Sequence, residues 1–172
     1  MLVNFLSHAT PDLDWATILK THLTFEFPPS QVFVALLDPR YGVSVDLKIL
    51  NALRASDSVI VLWSKKAAER KAVLAEISES VIQRKLIIPV LLEADAPPLP
   101  PSIADREWIS FASNAKEALA RLKRWIIELA ESKRRREERE ATARRVCLFG
   151  LGSLAAVALF QAACSDDEDE DE

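Results

Sequence analysis

Short apolar segments alternate with helical segments along the first 125 residues of this chain. Periodicity and β-branched composition predict five strands, at Leu2–Leu6, Gln31–Leu37, Ser58–Trp63, Leu86–Leu92 and Trp108–Phe111. Most of these strands are apolar on both faces, which is typical of a parallel sheet covered by helices on both sides. The pattern therefore predicts an α/β domain.

The segments between the strands place apolar residues at helical spacing. The predicted helices cover roughly residues 11–24, 45–55, 66–84 and a long stretch from residue 113. Five strands in this order are similar to a flavodoxin-like, doubly wound sheet, in which ligands bind beyond the carboxyl ends of the strands. We therefore expect a binding site among the loops at 7–11, 38–44, 64–72 and 93–104.

Charge is distributed unevenly along the 172 residues. The formal net charge is −4, from 22 basic and 26 acidic residues. Residues 133–145 carry a net charge of +4, residues 146–164 carry no charge, and residues 165–172 carry a net charge of −7. The chain is therefore predicted to contain a near-neutral domain over 1–125, a basic helical stem over 126–145, and two further short segments.

The uncharged segment 146–164 predicts a single transmembrane helix, followed by an acidic tail. Its length as a helix is about 28 Å, close to the thickness of the hydrocarbon core of a bilayer. The basic residues directly before it place the N-terminal domain in the cytoplasm by the positive-inside rule. They also favour contact with membrane lipids over nucleic acid. The alternative is a helix that is buried or packed against a partner.

Three residue types are too scarce for several classes of chemistry. The chain has three glycines, and only Gly42 precedes residue 146, so a glycine-rich phosphate loop is absent. Both cysteines, Cys147 and Cys164, lie in the uncharged segment, and the only histidines are His8 and His22. No metal site is predicted from this set. Chemistry must come from carboxylates, hydroxyls, Lys, Arg and the backbone.

Five motifs occur in order along about residues 1–125. The first is Val3–Ala9, followed by Asp12 and by Asp14-Trp15-Ala16. The others are Leu37–Arg40, Ala52–Ser64, Val73–Ile77 and Leu86–Val90. Together they resemble the motifs of bacterial TIR (Toll/interleukin-1 receptor) domains, with Leu37–Arg40 at the start of the family's BB loop. Two features depart from the family pattern: Ala72 stands where a tryptophan is expected, and the BB loop is short at Tyr41-Gly42.

The resemblance implies the TIR fold and an NAD⁺ nucleosidase activity. Many TIR domains cleave the nicotinamide–ribose bond of NAD⁺, and the resemblance makes Glu76 the catalytic glutamate. Nicotinamide leaves from a cationic pyridinium and needs no general acid, so one carboxylate near the ribose suffices. NAD⁺ is the substrate, and no separate cofactor is predicted. Glu79, one turn further along, is predicted to be a surface residue.

Further side chains at the strand ends and in the BB loop are candidates for substrate binding. They are Ser7, His8, Asp38, Arg40, Trp63 and Ser64. Ser7 and His8 end the first strand and can hold the nicotinamide or the ribose, whereas Asp38 and Arg40 can gate the site or contact the diphosphate. Each has a structural alternative, such as a turn residue for Asp38 or a core position for Trp63. Packing roles are predicted for Trp15, Trp108 and Trp125.

Two functions are compatible with the resemblance. The first is a membrane-anchored NAD⁺ nucleosidase that acts when TIR domains assemble, in defence or cell-death signalling. The second is a non-catalytic adaptor or scaffold whose BB loop recruits other TIR domains. A receiver-like signalling domain is disfavoured, because Ser64 stands where a receiver needs a phosphoacceptor aspartate.

Overall fold

The computed structural model describes residues 1–25, 30–35, 37–38, 42 and 44–163, with only the backbone for residues 25 and 145–163. The chain divides into two compact units, Met1–Ala130 and Glu131–Glu172. Two predictions lie outside the described residues. One concerns the role of Arg40, and the other concerns the segment 146–164, whose side chains are not described.

Strands and helices alternate in the described residues. The strands are β1 (Leu2–Ser7), β2 (Ser30–Phe33), β3 (Ser58–Trp63), β4 (Leu86–Leu91) and β5 (Ile109–Ser110). The helices are α1 (Leu13–Phe25), α2 (Val45–Ala55), α3 (Lys65–Ala68), α4 (Lys71–Ile82) and α5 (Ala115–Ala163). Short 3₁₀ turns cover Thr10–Asp12 and Pro101–Ile103.

The strands form one parallel sheet in the order β2-β1-β3-β4-β5. This confirms the predicted α/β class with a five-stranded parallel sheet. β1 pairs with β2 on one side and with β3 on the other, so the strand order reverses there. In doubly wound sheets this reversal opens a crevice at the carboxyl ends of the strands, where ligands bind.

Alternate residues of the sheet face two apolar layers. In β3, Val59, Val61 and Trp63 face one layer, whereas Ile60 and Leu62 face the other. The first layer contains residues of α2, α3 and α4, and the second contains residues of α1 and of the first turns of α5. Because helices cover both faces, β3 is apolar on both sides, which is the pattern the sequence showed.

The second strand is shorter than predicted. β2 ends at Phe33, whereas the apolar pattern predicted a strand that continued to Leu37. The amides of Leu37 and Asp38 both donate to the carbonyl of Val34 at 3.0 Å. The Asp38 carboxylate accepts a hydrogen bond from the Val34 amide at 2.7 Å. These local bonds stabilise a turn that competes with the sheet.

The single helix predicted over residues 66–84 is two helices. α3 ends at Ala68 and α4 begins at Lys71, because Arg70 between them is extended (φ −93°, ψ 112°). Ser64 caps α3, and its hydroxyl accepts a hydrogen bond from the Ala67 amide at 3.0 Å. The break gives α4 its own register, which determines the side chains that it turns toward the sheet.

The basic stem is part of α5, and four of its basic residues are paired with glutamates along the helix. The pairs are Glu131–Arg135 at 3.0 Å, Lys133–Glu137 at 3.9 Å, Arg134–Glu138 at 3.5 Å and Arg136–Glu140 at 2.9 Å. Exposed pairs four residues apart contribute only about 0.3–0.5 kcal/mol each to helix stability. Among the described residues, no helix combines the length and the apolar character needed to cross a membrane.

Candidate active site

Buried hydroxyl groups mark the carboxyl ends of the two central strands. Ser7 is the last residue of β1 and is 1% exposed, and Ser64 directly follows β3 and is fully buried. β1 and β3 are hydrogen-bonded neighbours, with Ser7 opposite Val61. The two hydroxyl groups therefore lie at the edge of the sheet where its topology predicts a binding crevice.

Glu76 on α4 reaches this edge of the sheet. The hydroxyl of Ser7 donates a hydrogen bond to Oε2 of Glu76. Burial of the carboxylate raises the pKa of Glu76 from 4.5 to about 7, and the Ser7 hydrogen bond opposes that rise. At neutral pH this carboxyl group is consequently divided between its protonated and ionised forms. A carboxyl group of this kind is typical of reactive sites, although buried structural carboxyls also exist.

Glu76 lines a cleft of about 290 Å³ between α2 and α4, which we call the acidic cleft. Its lining residues are Asp46, Ile49, Leu50, Leu53, Ala72, Ala75, Glu76 and Glu79. The lining combines three carboxylates with apolar side chains and, among the described residues, includes no basic group. Such a surface can accommodate a cationic or electron-poor group beside an apolar wall.

Two features of the acidic cleft were missed by sequence reasoning. Asp46 lies on α2 two residues after its capping Ser44, and nothing in its spacing indicates that it borders the same cleft as Glu76. Glu79 was predicted to be a surface residue, yet it is partly buried and lines the cleft. Ala72 places a methyl group at this wall, at the position where the family pattern has tryptophan.

Ser64 is held in a separate hydrogen-bond network. Its hydroxyl donates to Oδ2 of Asp12 at 2.6 Å and accepts from the Ala67 amide at 3.0 Å. This network joins the end of β3 to the 3₁₀ turn that precedes α1. The Ser64 hydroxyl therefore has a structural role in the described chain, and its donor is not free for a ligand.

His8 directly follows Ser7 and is partly buried. Burial lowers the pKa of His8, while a hydrogen bond with the Leu6 backbone and the charge of Asp12 oppose that change. The neutral imidazole is thus favoured. Its Nε2 atom is buried and has no hydrogen-bond partner among the described residues. His8 is the candidate near the strand ends that retains an unused polar atom.

Asp38 has a structural role in the turn after β2. Both oxygens of its carboxylate accept hydrogen bonds from Lys20 at 2.6 Å, and one of them also caps the Val34 amide. The buried Lys48 donates to the carbonyls of Ala35 and Asp38. These contacts hold the turn to α1 and α2, and none of them involves Glu76.

Trp63 lies in the core rather than on a surface where a base could stack. Its side chain is 2% exposed, and its indole N–H donates to the Pro97 carbonyl at 2.7 Å. Trp15 also packs, with its ring edge against Phe111 at a centroid distance of 5.8 Å. The packing prediction for Trp108 is wrong, because this side chain is 51% exposed. Trp108 directly precedes β5, a two-residue strand at the edge of the sheet.

Trp108 belongs to a second cleft of about 340 Å³, which we call the arginine cleft. It is lined by Leu86, Ile87, Ile88, Arg106, Glu107, Trp108, Ile109, Arg121, Arg124, Trp125 and Glu128. Leu86 and Trp108 stand at or before the amino ends of β4 and β5, so this cleft lies at the other end of the strands from Ser7. The spacing of Arg121 and Arg124 on one helix face was the available sequence signal for it.

The described residues contain no group of three or more His, Cys, Asp and Glu side chains that could hold a metal ion. The fold and the polar strand ends together define a doubly wound α/β domain with a carboxylate beside its central crevice. A family model described as "TIR domain" matches residues 5–126, so the chain belongs to the TIR domain family.

Solved structures agree with this family at the level of the fold. The TIR domain of the Toll-related receptor TRR-2 from Hydra magnipapillata has 18% identity and a TM-score of 0.55, covering 75% of this chain and 95% of that domain. A prokaryotic SEFIR domain has 16% identity and the same TM-score of 0.55, covering 72% of this chain and 97% of that domain. No curated protein matches the sequence.

Proposed function

We propose that this TIR domain is an NAD⁺ nucleosidase that hydrolyses the nicotinamide–ribose bond, with Glu76 as its catalytic carboxylate. The observation that carries the proposal is the contact between Ser7 and Glu76 at the crevice of the sheet. It places a largely desolvated carboxyl group beside an acidic, partly apolar cleft. Membership of the TIR family supports this assignment.

The chemistry needs one group that faces positive charge. When the bond between C1′ of the ribose and the pyridinium nitrogen breaks, its electron pair leaves with neutral nicotinamide, and positive charge develops on the ribose. The ionised carboxylate of Glu76 stabilises that charge in a site with little water. Water then adds to C1′ and releases a proton, which gives ADP-ribose. The positive charge of bound NAD⁺ favours the ionised form of Glu76.

The other candidates contribute unequally to this proposal. His8 is the one we favour for holding the ribose or nicotinamide, because its Nε2 lacks a partner among the described residues. The hydroxyl groups of Ser7 and Ser64 donate to Glu76 and Asp12. Trp63 supports the site from the core. Roles for Asp38 and Arg40 in gating remain part of the proposal through the BB loop.

The test measures the release of nicotinamide from NAD⁺ by chromatography. The full chain is clustered on vesicles for this assay. Glu76→Gln keeps the size of the side chain and removes its charge, and we expect turnover to fall by about 10²–10³-fold. Glu79→Gln is the matched control, since Glu79 lines the same cleft without contacting Ser7, and it should keep most of the activity. Equal turnover by Glu76→Gln and wild type would remove Glu76 from the mechanism.

The same assay separates the two functions. We propose that activity requires assembly with copies of this chain or with other TIR domains, in defence or cell-death signalling. If neither the dispersed nor the clustered protein releases nicotinamide, the non-catalytic adaptor or scaffold is the better account. In that case the acidic cleft would be a recognition surface.

We further propose that residues 146–164 anchor the chain in a membrane, with the N-terminal domain in the cytoplasm. The supporting observation is the order of charges in the sequence, with a basic stem, an uncharged segment of 19 residues and an acidic tail. The full chain should sediment with membranes, and a chain that ends at residue 145 should not. Unchanged sedimentation of the shortened chain would contradict the anchor.

A further inference from the structure

We infer that Ser7 is the positioning residue for Glu76, and that its hydroxyl orients the carboxylate and favours its ionised form beside a cationic substrate. This inference rests on the proposed function for its catalytic consequence. Its structural part, the control of Glu76 by Ser7, can be measured without turnover.

Ser7 belongs to a central strand of the sheet. It ends β1, which is hydrogen-bonded to strands on both sides, and it stands opposite Val61 of β3. Its side chain is 1% exposed and lies among packed neighbours. A hydroxyl group on a central strand positions a reacting group more accurately than a hydroxyl group on a loop.

Glu76 is fixed from two directions. Its side chain accepts the hydrogen bond of Ser7 at Oε2, and its backbone carbonyl accepts one from the buried hydroxyl of Ser80 at 2.5 Å. Val73 and Ile77, on either side of Glu76 in α4, are buried against the sheet. Its second oxygen, Oε1, has no hydrogen bond with a described residue and can face a substrate.

Among the described residues that line the cleft, no basic side chain stabilises the ionised form of Glu76 in place of the Ser7 hydroxyl. The other titratable groups that line the cleft are Asp46 on α2 and Glu79 on α4, and an ionised carboxylate donates no hydrogen bond. The basic residues of the same two helices do not line the cleft; they are Lys48, Arg54 and Lys71. Burial favours the neutral imidazole of His8, which directly follows Ser7. The Ser7 hydroxyl is therefore the described donor that favours the ionised form of Glu76.

This geometry changes the role that the sequence predicted for Ser7. The sequence predicted that a backbone N–H or a hydroxyl at this strand end holds the nicotinamide or the ribose. The single proton of that hydroxyl is directed to Glu76, so a substrate could use only the lone pairs of its oxygen. A role of Ser7 that acts through Glu76 accounts for the burial of Ser7 and for its hydrogen bond to Glu76.

The experiment compares Ser7→Ala with Ser7→Thr in the full chain. The primary readout is the pKa of Glu76, measured by ¹³C NMR of labelled glutamate carboxyl groups during a pH titration. The signal of Glu76 is identified by its loss in Glu76→Gln. We expect Ser7→Ala to raise this pKa by about one unit, because one hydrogen bond to the charged form is lost. Ser7→Thr keeps a hydroxyl on a strand that tolerates β-branching, and its titration should stay close to that of wild type.

The pH dependence of nicotinamide release is the second readout. With the pKa near 8, the ionised fraction of Glu76 at pH 7 falls from about one half to about one tenth. The rate of Ser7→Ala should therefore fall about fivefold at pH 7 and recover nearly fully at pH 9. The rate of Ser7→Thr should follow the wild-type profile.

The outcomes separate this inference from the proposed function. A shifted pKa in Ser7→Ala together with no turnover in any variant would support positioning and contradict the nucleosidase. An unchanged pKa would overturn the inference, and a rate loss of equal size at every pH would instead indicate that Ser7 binds the substrate. A shifted pKa in both Ser7→Ala and Ser7→Thr would also overturn it, because the hydroxyl would then not be the cause.

Discussion

The two clefts of the TIR domain are similar in volume and opposite in charge. The acidic cleft, of about 290 Å³, presents the carboxylates of Asp46, Glu76 and Glu79. The arginine cleft, of about 340 Å³, presents three arginines, two glutamates and the half-exposed Trp108. The two clefts therefore differ in the charge that they present and not in their size.

What distinguishes the clefts is how their charged groups are held. Glu76 is partly buried and hydrogen-bonded to a serine on a central strand, whereas Arg121 and Arg124 are exposed on a helix surface. Burial combined with a fixed partner is what prepares a group for chemistry. Long exposed side chains beside an uncovered aromatic ring are better suited to contact with another molecule.

The largest expected change in the free energy of unfolding comes from truncating a leucine to alanine, and it should differ between the two clefts. Leu53→Ala in the acidic cleft should lower the free energy of unfolding by about 2–4 kcal/mol, because Leu53 is 1% exposed and its removal leaves a cavity. Leu86→Ala in the arginine cleft should cost less than about 1 kcal/mol, because Leu86 is 42% exposed. Urea unfolding followed by tryptophan fluorescence measures both. Equal losses would mean that the two clefts are equally part of the core.

The second effect depends on pH. The folded pKa of Glu76, about 7, lies above its unfolded value of 4.5, so the native state binds the proton more tightly. The resulting stability is present below about pH 4.5 and is lost as the pH rises through 7. Glu76→Gln should therefore raise the free energy of unfolding by about 2–3 kcal/mol at pH 8 and leave it nearly unchanged at pH 4.

Glu107→Gln is the matched control for this pH effect, because it makes the same change at an exposed residue of the arginine cleft. Its effect should stay within about 0.5 kcal/mol at both pH values. Denaturant titrations at pH 4 and pH 8 give the comparison. A gain from Glu76→Gln that is the same at both pH values would contradict a raised pKa.

The smallest expected effect concerns the arginines. Arg121 and Arg124 form no ion pair with a described residue, so replacing either with alanine should change the free energy of unfolding by less than about 0.5 kcal/mol. Circular dichroism during urea unfolding is sufficient for this measurement. A loss above 1 kcal/mol would show that these exposed side chains stabilise the domain.

The fold could be predicted because its signals are local. β3 is apolar from Val59 to Trp63 and α2 follows a capping serine, and both elements match the sequence prediction in their bounds. The end of β2 could not be predicted from the apolar pattern, since the side chain of Asp38 bonds to the Val34 amide and closes a turn. A hydrogen bond between side chain and backbone can outweigh several apolar residues at the edge of a sheet.

The candidate site could be predicted only in part, because it joins distant parts of the chain. Ser7 and Glu76 were both proposed from motifs, but the contact between them spans 69 positions and depends on how α4 crosses the sheet. The same register brings Glu79, which was predicted to be a surface residue, to the wall of the cleft that carries Glu76. The apolar pattern placed Trp108 inside the fifth strand, whereas β5 begins at Ile109 and Trp108 is 51% exposed.

Hydrogen–deuterium exchange of the full chain carrying Glu76→Gln, with and without NAD⁺, tests whether NAD⁺ binds beside Glu76, because we expect this variant to bind NAD⁺ and not to consume it. We expect slower exchange in peptides that contain Ser7, α2 and α4, and no change in peptides that cover Trp108 and residues 121–128. Slower exchange confined to the arginine cleft would contradict a binding site at Glu76. So would the absence of any change under conditions in which the wild-type chain releases nicotinamide.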